Sequence, residues 1–113
     1  MSKLSIIFFI SIILIFHFKS NASQIYIIKN EEGRYEGELS DIDNKIKSGY
    51  GIMNYSNGDI YKGQWENNSK NGKGIMNYAS GDIHIGSWGF DSITGYGERK
   101  FFNGDSYKGY HKS

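Results

Sequence analysis

Three aspartates have a type and spacing that could do chemistry. Asp59, Asp82 and Asp105 recur every 23 residues, each directly after a glycine, and a row of carboxylates can bind a cation. The alternative, which the repetition in register favours, is that each aspartate accepts hydrogen bonds from the backbone of its own turn. Nothing in the sequence buries one carboxylate beside another, so no general acid and base pair is indicated.

Histidines are the second group that could act chemically, as metal ligands. A zinc site needs three or four donors, yet the chain has no cysteine and no pair of histidines four residues apart. His84 and His111 stand where the sequence otherwise repeats an aromatic residue. The pattern therefore predicts packed rings at both positions and indicates neither a metal nor another cofactor.

Motifs of known catalytic sites are missing from the sequence. There is no G-x-S-x-G, no H-E-x-x-H and no phosphate-binding lysine motif. The glycine pairs Gly49-Tyr-Gly51 and Gly95-Tyr-Gly97 are not followed by the helical pattern that a nucleotide-binding loop requires. We therefore expect a protein that is not an enzyme.

Lysines are spread over the chain and offer a further possibility, contact with anionic lipid headgroups at about 1 kcal/mol per basic residue. Carboxylates are interleaved with them, which favours an ordinary solvated surface. Without residues 1–22 the chain carries 11 Lys and Arg against 12 Asp and Glu. This balance gives no basic excess, so we expect no nucleic-acid partner. The lysines in question are Lys62, Lys70, Lys73, Lys100 and Lys108.

The N-terminus has the pattern of a targeting segment. A short basic start is followed by an apolar run over residues 4–18, and Ser20 and Ala22 place small residues at the positions that a signal peptidase reads. This predicts a signal peptide over residues 1–22 and export, to a secreted or periplasmic location. The alternative is a membrane anchor through residues 4–18, although about 20 apolar residues are usual for a span.

A repeat of about 23 residues must position these side chains. Successive copies start at Gly49, Gly72 and Gly95. Each copy has two β-rich runs around a pair such as Asn57-Gly58, which is typical of a hairpin whose two central residues both have positive φ. The links between hairpins, Asn67–Asn71 and Phe90–Thr94, are polar or mixed in composition and are expected to be solvent-facing loops. A charged insertion over residues 41–47 is expected to bulge outward.

Alternation of side chains along each strand predicts one face rich in aromatic and glycine residues. A glycine between two aromatic residues is expected to leave a gap for the ring of a neighbouring hairpin. The predicted fold is all-β: an elongated, single-layer antiparallel sheet of tandem hairpins, preceded by an apolar N-terminal helix. The predicted packing or binding face consists of Tyr35, Tyr61, Gly63, Trp65, His84, Gly86, Trp88, Tyr107 and Gly109.

The repeated motif resembles the MORN repeat (membrane occupation and recognition nexus). It is carried by Tyr61-Lys-Gly-Gln-Trp65, then Asn71-Gly-Lys-Gly74, then Ser80-Gly-Asp82, and it extends from Tyr35 to about His111. The sequence departs from the family pattern where Leu39 and His111 replace Trp and where His84 replaces Tyr.

The resemblance implies an elongated sheet that acts as a protein-interaction scaffold, in a family often linked to membranes and phosphoinositide lipids. Three hypotheses follow: an exported, non-enzymatic binding module, a module that associates with anionic membrane lipid, or a repeat-only relative or fragment of an enzyme that contains MORN repeats. The expected organisation is a signal peptide (1–22), a lead-in (23–34) and an array of about three repeats (35–113).

An array that is only one sheet thick is expected to associate with another chain. A small domain without disulfides has little stability to spare, and the edge strands of an open sheet invite pairing with another chain. We therefore expect either an unidentified protein partner along the aromatic face or self-association through the sheet edges.

Overall fold

The computed structural model describes residues 24–111, so the predicted signal peptide (1–22) and its apolar helix lie outside the described residues. Within residues 24–111 there is no helix, and hence none that is long and apolar enough to cross a membrane. The strands are β1 (Tyr26–Asn30), β2 (Gly33–Asp41), β3 (Ile46–Tyr55), β4 (Ile60–Glu66), β5 (Ser69–Asn77), β6 (Ile83–Gly89), β7 (Ser92–Lys100) and β8 (Ser106–His111).

All eight strands form one antiparallel sheet in the order β1 to β8, so each strand pairs with its neighbours in sequence. This confirms the predicted single sheet of tandem hairpins. Strand β1 was not predicted: it lies in the segment 23–34 that the sequence analysis treats as a lead-in. It pairs with β2, and Ile28 lies opposite Tyr35.

The turns after β3, β5 and β7 differ from the expected geometry. Only their glycines, such as Gly58 at 99°, have a positive φ, whereas Asn57 does not. The Gly58 N–H donates to the Tyr55 carbonyl oxygen at 3.0 Å, as in a three-residue loop built from a type I turn and a following glycine. The expectation of two positive φ values was wrong, because this loop needs the left-handed region only at its last residue.

At the opposite ends of the strands, the links from β4 to β5 and from β6 to β7 are shorter than expected. Asn67 and Asn68 have φ values of 49° and 71°, and Phe90 and Asp91 have 48° and 67°. Each pair forms a two-residue turn, so β5 already begins at Ser69. The expected polar loops, Asn67–Asn71 and Phe90–Thr94, are therefore mostly strand.

The charged insertion over residues 41–47 is strand only at Asp41, Ile46 and Lys47, and the expected outward bulge is confined to the four exposed residues between them. Asp41 ends β2 and Ile46 begins β3, which leaves residues 42–45 as the loop. The pairing of Leu39 with Lys47 is flanked by irregular register. The extra length is thus partly absorbed within the ladder, where bulges accommodate unpaired residues.

The repeated aspartates join one turn to the next. Asp59 Oδ1 accepts a hydrogen bond from the Ala79 N–H at 2.8 Å, and Asp82 Oδ1 accepts one from the Phe102 N–H at 3.0 Å. The expected bonds to backbone are present, but the donor belongs to the following repeat and not to the aspartate's own turn. The reason is that the turns after β3, β5 and β7 lie side by side at the same end of the strands.

A row of glycines crosses the sheet. Gly51 pairs with Gly63, and Gly63 with Gly74. A Cβ at Gly63 would lie 2.7 Å from the Tyr61 hydroxyl, because the Tyr61 ring lies over both Gly63 and Gly74. The gap is therefore filled by the tyrosine two residues earlier on the same strand. The expectation that a neighbouring hairpin's ring fills it was wrong.

The ring of the neighbouring hairpin, Trp88, instead makes an edge-to-face contact with this tyrosine. Seven rings follow one another with centroid separations of 4.7 to 5.5 Å and interplanar angles of 80° to 90°. Such edge-to-face pairs contribute about 0.5–1.5 kcal/mol each beyond area burial. We call this series the aromatic ladder; its order is Tyr35, Trp65, Tyr61, Trp88, His84, His111 and Tyr107.

Candidate functional site

Most residues of the predicted packing or binding face lie in the core of the sheet. Tyr61 and His84 are fully buried, and Trp65 and Trp88 are each 5% exposed. Tyr107 differs from them, since it is 47% exposed on β8. Gly63, Gly86 and Gly109 lie in the glycine row and Tyr35 begins the aromatic ladder. The structure thus places all nine on one face as packing residues, and a direct binding role for them stays a prediction.

The tyrosine hydroxyls and tryptophan N–H groups of the aromatic ladder donate hydrogen bonds to backbone carbonyl oxygens. The Tyr35 hydroxyl donates to the Glu38 carbonyl oxygen at 2.7 Å, and the Trp65 indole N–H donates to the Gly51 carbonyl oxygen at 3.2 Å. Burial raises the pKa of Tyr35 to about 12, and the nearby Glu38 carboxylate adds to the increase. These groups are held in structural bonds, so they are not arranged as nucleophiles or bases.

The two candidate histidine ligands do lie together, with ring centroids 4.7 Å apart. Burial lowers the pKa of His84, and the nearby His111 and Arg99 lower it further. Across residues 24–111 there is no group of three or more His, Cys, Asp or Glu side chains placed to hold a metal ion.

A groove of about 990 Å³ runs over the face that carries the aromatic ladder. Met53, Tyr55 and Trp65 are among the residues that line it. Because turns from both ends of the strands line the same groove, this face of the sheet is concave. We call it the ladder groove; its other lining residues include Glu31, Glu32, Lys45, Lys47, Asn68, Lys70 and Asp91.

Two lysines at equivalent repeat positions lie over the rings in this groove. The Lys47 ammonium lies 5.5 Å from the Trp65 ring centroid, and that of Lys70 lies 5.6 Å from the Trp88 centroid. Cations in this position are attracted by the ring faces. The expectations of a solvated Lys70 and of an outward bulge that includes Lys47 were wrong. The sequence signal for their shared role is their spacing of 23 residues.

Lys70 is also fixed by polar contacts. Its ammonium donates to the Tyr55 hydroxyl at 3.2 Å and lies 3.4 Å from a carboxylate oxygen of Asp91. The same carboxylate accepts a hydrogen bond from the Lys70 backbone N–H at 2.8 Å. The charge of Lys70 is therefore compensated within the groove, whereas Lys47 has the indole and phenol rings beneath it.

The opposite face carries a second, shallower surface, and here the apolar side chains are exposed. Tyr50, Ile75 and Ile85 are 46%, 39% and 37% exposed. Together with Lys62, Gln64 and Lys73 they line a depression of about 490 Å³, which we call the outer strip. The residues that line this depression include no carboxylate. It combines exposed isoleucine with positive charge.

Comparison with protein families agrees with the repeat read from the sequence. A family model described as MORN repeat matches residues 43–60, 61–83 and 84–106. A search of curated proteins finds no match. The second and third matches begin at Tyr61 and His84, the first residues of two ladder motifs. Because these matches cover more than half of the sequence, the chain belongs to the MORN repeat family.

Proposed function

We propose that this protein is an exported, non-enzymatic binding module whose ladder groove takes an extended segment of a partner protein. The observation that carries the proposal is the concave groove of about 990 Å³ with Met53, Tyr55 and Trp65 among its lining residues. Aromatic residues and methionine are enriched at the cores of protein interfaces. A rigid sheet beneath them lowers the cost of ordering the site on binding.

The charges of the groove indicate which segment fits. Lys45 and Lys47 line one side, while Glu31 and Glu32 line the other. A complementary segment places apolar side chains towards the floor and a carboxylate towards the lysines. Complementary charges of this kind select a partner and its orientation more than they add affinity.

A selection of displayed peptides on the immobilised chain tests this proposal. We expect peptides selected by the wild-type chain to lose binding to Lys47→Glu, because the substitution reverses a charge inside the groove. Lys62→Glu is the matched control, since it reverses a lysine charge on the outer strip. The proposal is wrong if no peptide is selected, or if the selected peptides bind both variants equally.

A second candidate function is attachment to an anionic membrane surface through the outer strip. It is favoured by the exposed Ile75 and Ile85 beside Lys62 and Lys73. Basic residues near an anionic surface contribute about 1 kcal/mol each. Sedimentation with vesicles that contain an anionic phospholipid should be lost in the Lys62→Glu, Lys73→Glu double variant and retained in Lys47→Glu. The opposite pattern would exclude the outer strip.

Export rests on the sequence of residues 1–22 alone. The short basic start, the apolar run and the small residues Ser20 and Ala22 predict cleavage after Ala22. N-terminal sequencing of the protein from its native source should begin at Ser23. A mature chain that still begins at Met1 in the membrane fraction would indicate the anchor instead.

A further inference from the structure

The aromatic ladder changes its chemistry near β8. The repeat position that Tyr61 occupies holds His84 one repeat later. The position that Met53 and Met76 occupy in two repeats holds Arg99 in the next. The position that Trp65 and Trp88 occupy in two repeats holds His111 in the next. Register places His84 opposite Arg99, and His111 packs against the His84 ring. Three repeat positions that are neutral elsewhere thus become basic within one cluster.

The same cluster holds the unsatisfied polar atoms of the core. Within residues 24–111, the buried side-chain nitrogens that lack a hydrogen-bond partner are His84 Nδ1 and Nε2, Arg99 Nε and His111 Nδ1. In the preceding repeat, the Tyr61 hydroxyl donates to the Gln64 carbonyl oxygen at 2.9 Å, and the Trp88 indole N–H donates to Gly74. At the two histidine positions, satisfied donors are therefore exchanged for unsatisfied nitrogens.

The ionisable groups around His84 are mainly basic. Arg99 on β7 and His111 on β8 face it, and the Lys70 ammonium from β5 lies over Trp88, whose ring contacts His84. Tyr107 on β8 contacts the far side of His111. The Asp82 carboxylate is bound to the Arg99 guanidinium at 3.0 Å and to the Phe102 N–H. A proton taken up by His84 would therefore place a new cation beside existing ones.

We propose that His84 makes the β6 to β8 end of the sheet acid-sensitive, so that proton uptake by its fully buried ring loosens β7 and β8 from β6. The neutral imidazole is compatible with the packed ladder, whereas a buried cation without a partner is not. This acid sensitivity arises from the packing of the sheet itself and does not depend on which surface binds a partner.

The direction of the effect follows from linkage between protonation and folding. Burial, His111 and Arg99 hold the pKa of His84 below its ordinary value of 6.5. The open state therefore binds more protons, and the stability of this end is complete above pH about 6.5 and decreases as pH falls. Hydrogen bonds and nearby cations lower the pKa values of the Asp82 and Glu98 carboxyls. These carboxylates stay charged until the solution is more acidic, so His84 dominates the first part of the acid range.

Hydrogen exchange of the full chain, corrected for the intrinsic pH dependence of exchange, tests the proposal. On acidification below pH about 6.5, the opening constant of β7 and β8 should rise with a slope approaching one proton, about tenfold per pH unit. Strands β2 and β3 are the internal reference and should not respond. Equal responses of both regions, or none in β7 and β8, would overturn the proposal.

Two variants identify the responsible group. His84→Tyr restores the residue of the preceding repeat and should abolish the acid response, while His111→Trp should retain it. Persistence of the response in His84→Tyr, or its loss only in His111→Trp, would assign it elsewhere. A nuclear magnetic resonance titration of the wild-type His84 ring gives a readout that does not depend on a variant's folding. Titration at or above pH about 6.5 would contradict the proposal.

Discussion

At the scale of single residues, the tyrosine and the glycine of each motif act as one unit. The Tyr61 ring lies over Gly63 on its own strand and Gly74 on the next, where a Cβ would collide with it. Its hydroxyl reaches the Gln64 carbonyl oxygen at 2.9 Å. The ring thus covers backbone that would otherwise be exposed in a single-layer sheet.

Alkaline titration should reveal these buried phenols. Burial raises the pKa of Tyr35 to about 12 and raises that of Tyr61 as well. Because the folded pKa lies above the unfolded value, their stabilising effect is complete below pH about 10 and decreases as pH rises. The phenolate absorbance should show a fraction of tyrosines that ionises only as the circular dichroism of the sheet is lost. Ionisation of every tyrosine with the sheet intact would contradict this burial.

A pair of glycine substitutions tests the close approach. Gly74→Ala should lower the free energy of unfolding by about 1–3 kcal/mol, as overpacking does, because its Cβ would collide with the Tyr61 ring. Gly89→Ala is the matched control, since its nearest neighbour, Thr94, would lie 3.4 Å away. Urea unfolding measures both. Equal effects of the two substitutions would show that the glycine row is not required for ring packing.

At the scale of elements, the turns hold adjacent repeats in register. Asp59 Oδ1 binds the Ala79 N–H of the next turn at 2.8 Å, whereas the equivalent Asp105 is bonded within its own turn, to Asn103. At the opposite strand ends, Asn68 Oδ1 accepts from the Lys47 backbone N–H at 2.8 Å. The hairpins are therefore joined at both ends as well as through the sheet.

This difference predicts unequal costs for two equivalent substitutions. Asp59→Ala should lower the free energy of unfolding by about 1.5–3 kcal/mol, the range for hydrogen bonds to charged groups. Asp105→Ala should cost less, because the bond it removes is the one that the Asp105 carboxylate accepts from the Asn103 side chain within the same turn. Chemical denaturation of both variants provides the comparison. A larger loss in Asp105→Ala would mean that the bond between turns does not stabilise the array.

The sequence predicted the hairpins because their signals are local. Strand alternation and the glycine of pairs such as Asn57-Gly58 act within a few residues. Strand β1 escaped prediction because Tyr26–Asn30 carries none of the repeat's glycine or aromatic pattern. The ring that fills the glycine gap was misassigned, because its position depends on the register that pairs Gly63 with Gly74. The ladder groove depends on the bending of the whole sheet, which no local pattern shows.

At the scale of the whole molecule, the sheet is one layer with different surfaces on its two faces. The aromatic ladder lies on the concave face, while the outer strip exposes Tyr50, Ile75 and Ile85. In the described part of the chain, β1 and β8 each pair on one side only. Unpaired edges of this kind favour association with another chain.

Sedimentation of the purified mature chain tests the expected association through edges. We expect species larger than a monomer at micromolar concentration. Charged substitutions on β8, such as Tyr110→Lys, should shift the distribution towards monomer, because lysine on an edge strand opposes pairing. A single monomeric species at every concentration would remove self-association and leave a different protein as the partner.

Hydroxyl-radical footprinting of the aromatic side chains tests most directly the central claim that one face is packed and the other is open. Tyr61, Trp65 and Trp88 should be protected in the native chain, since they are at most 5% exposed. Tyr50 and Tyr110, 46% and 79% exposed, should be modified readily. Protection of the second group with modification of the first, or equal modification of both, would contradict the account of the aromatic ladder as the core.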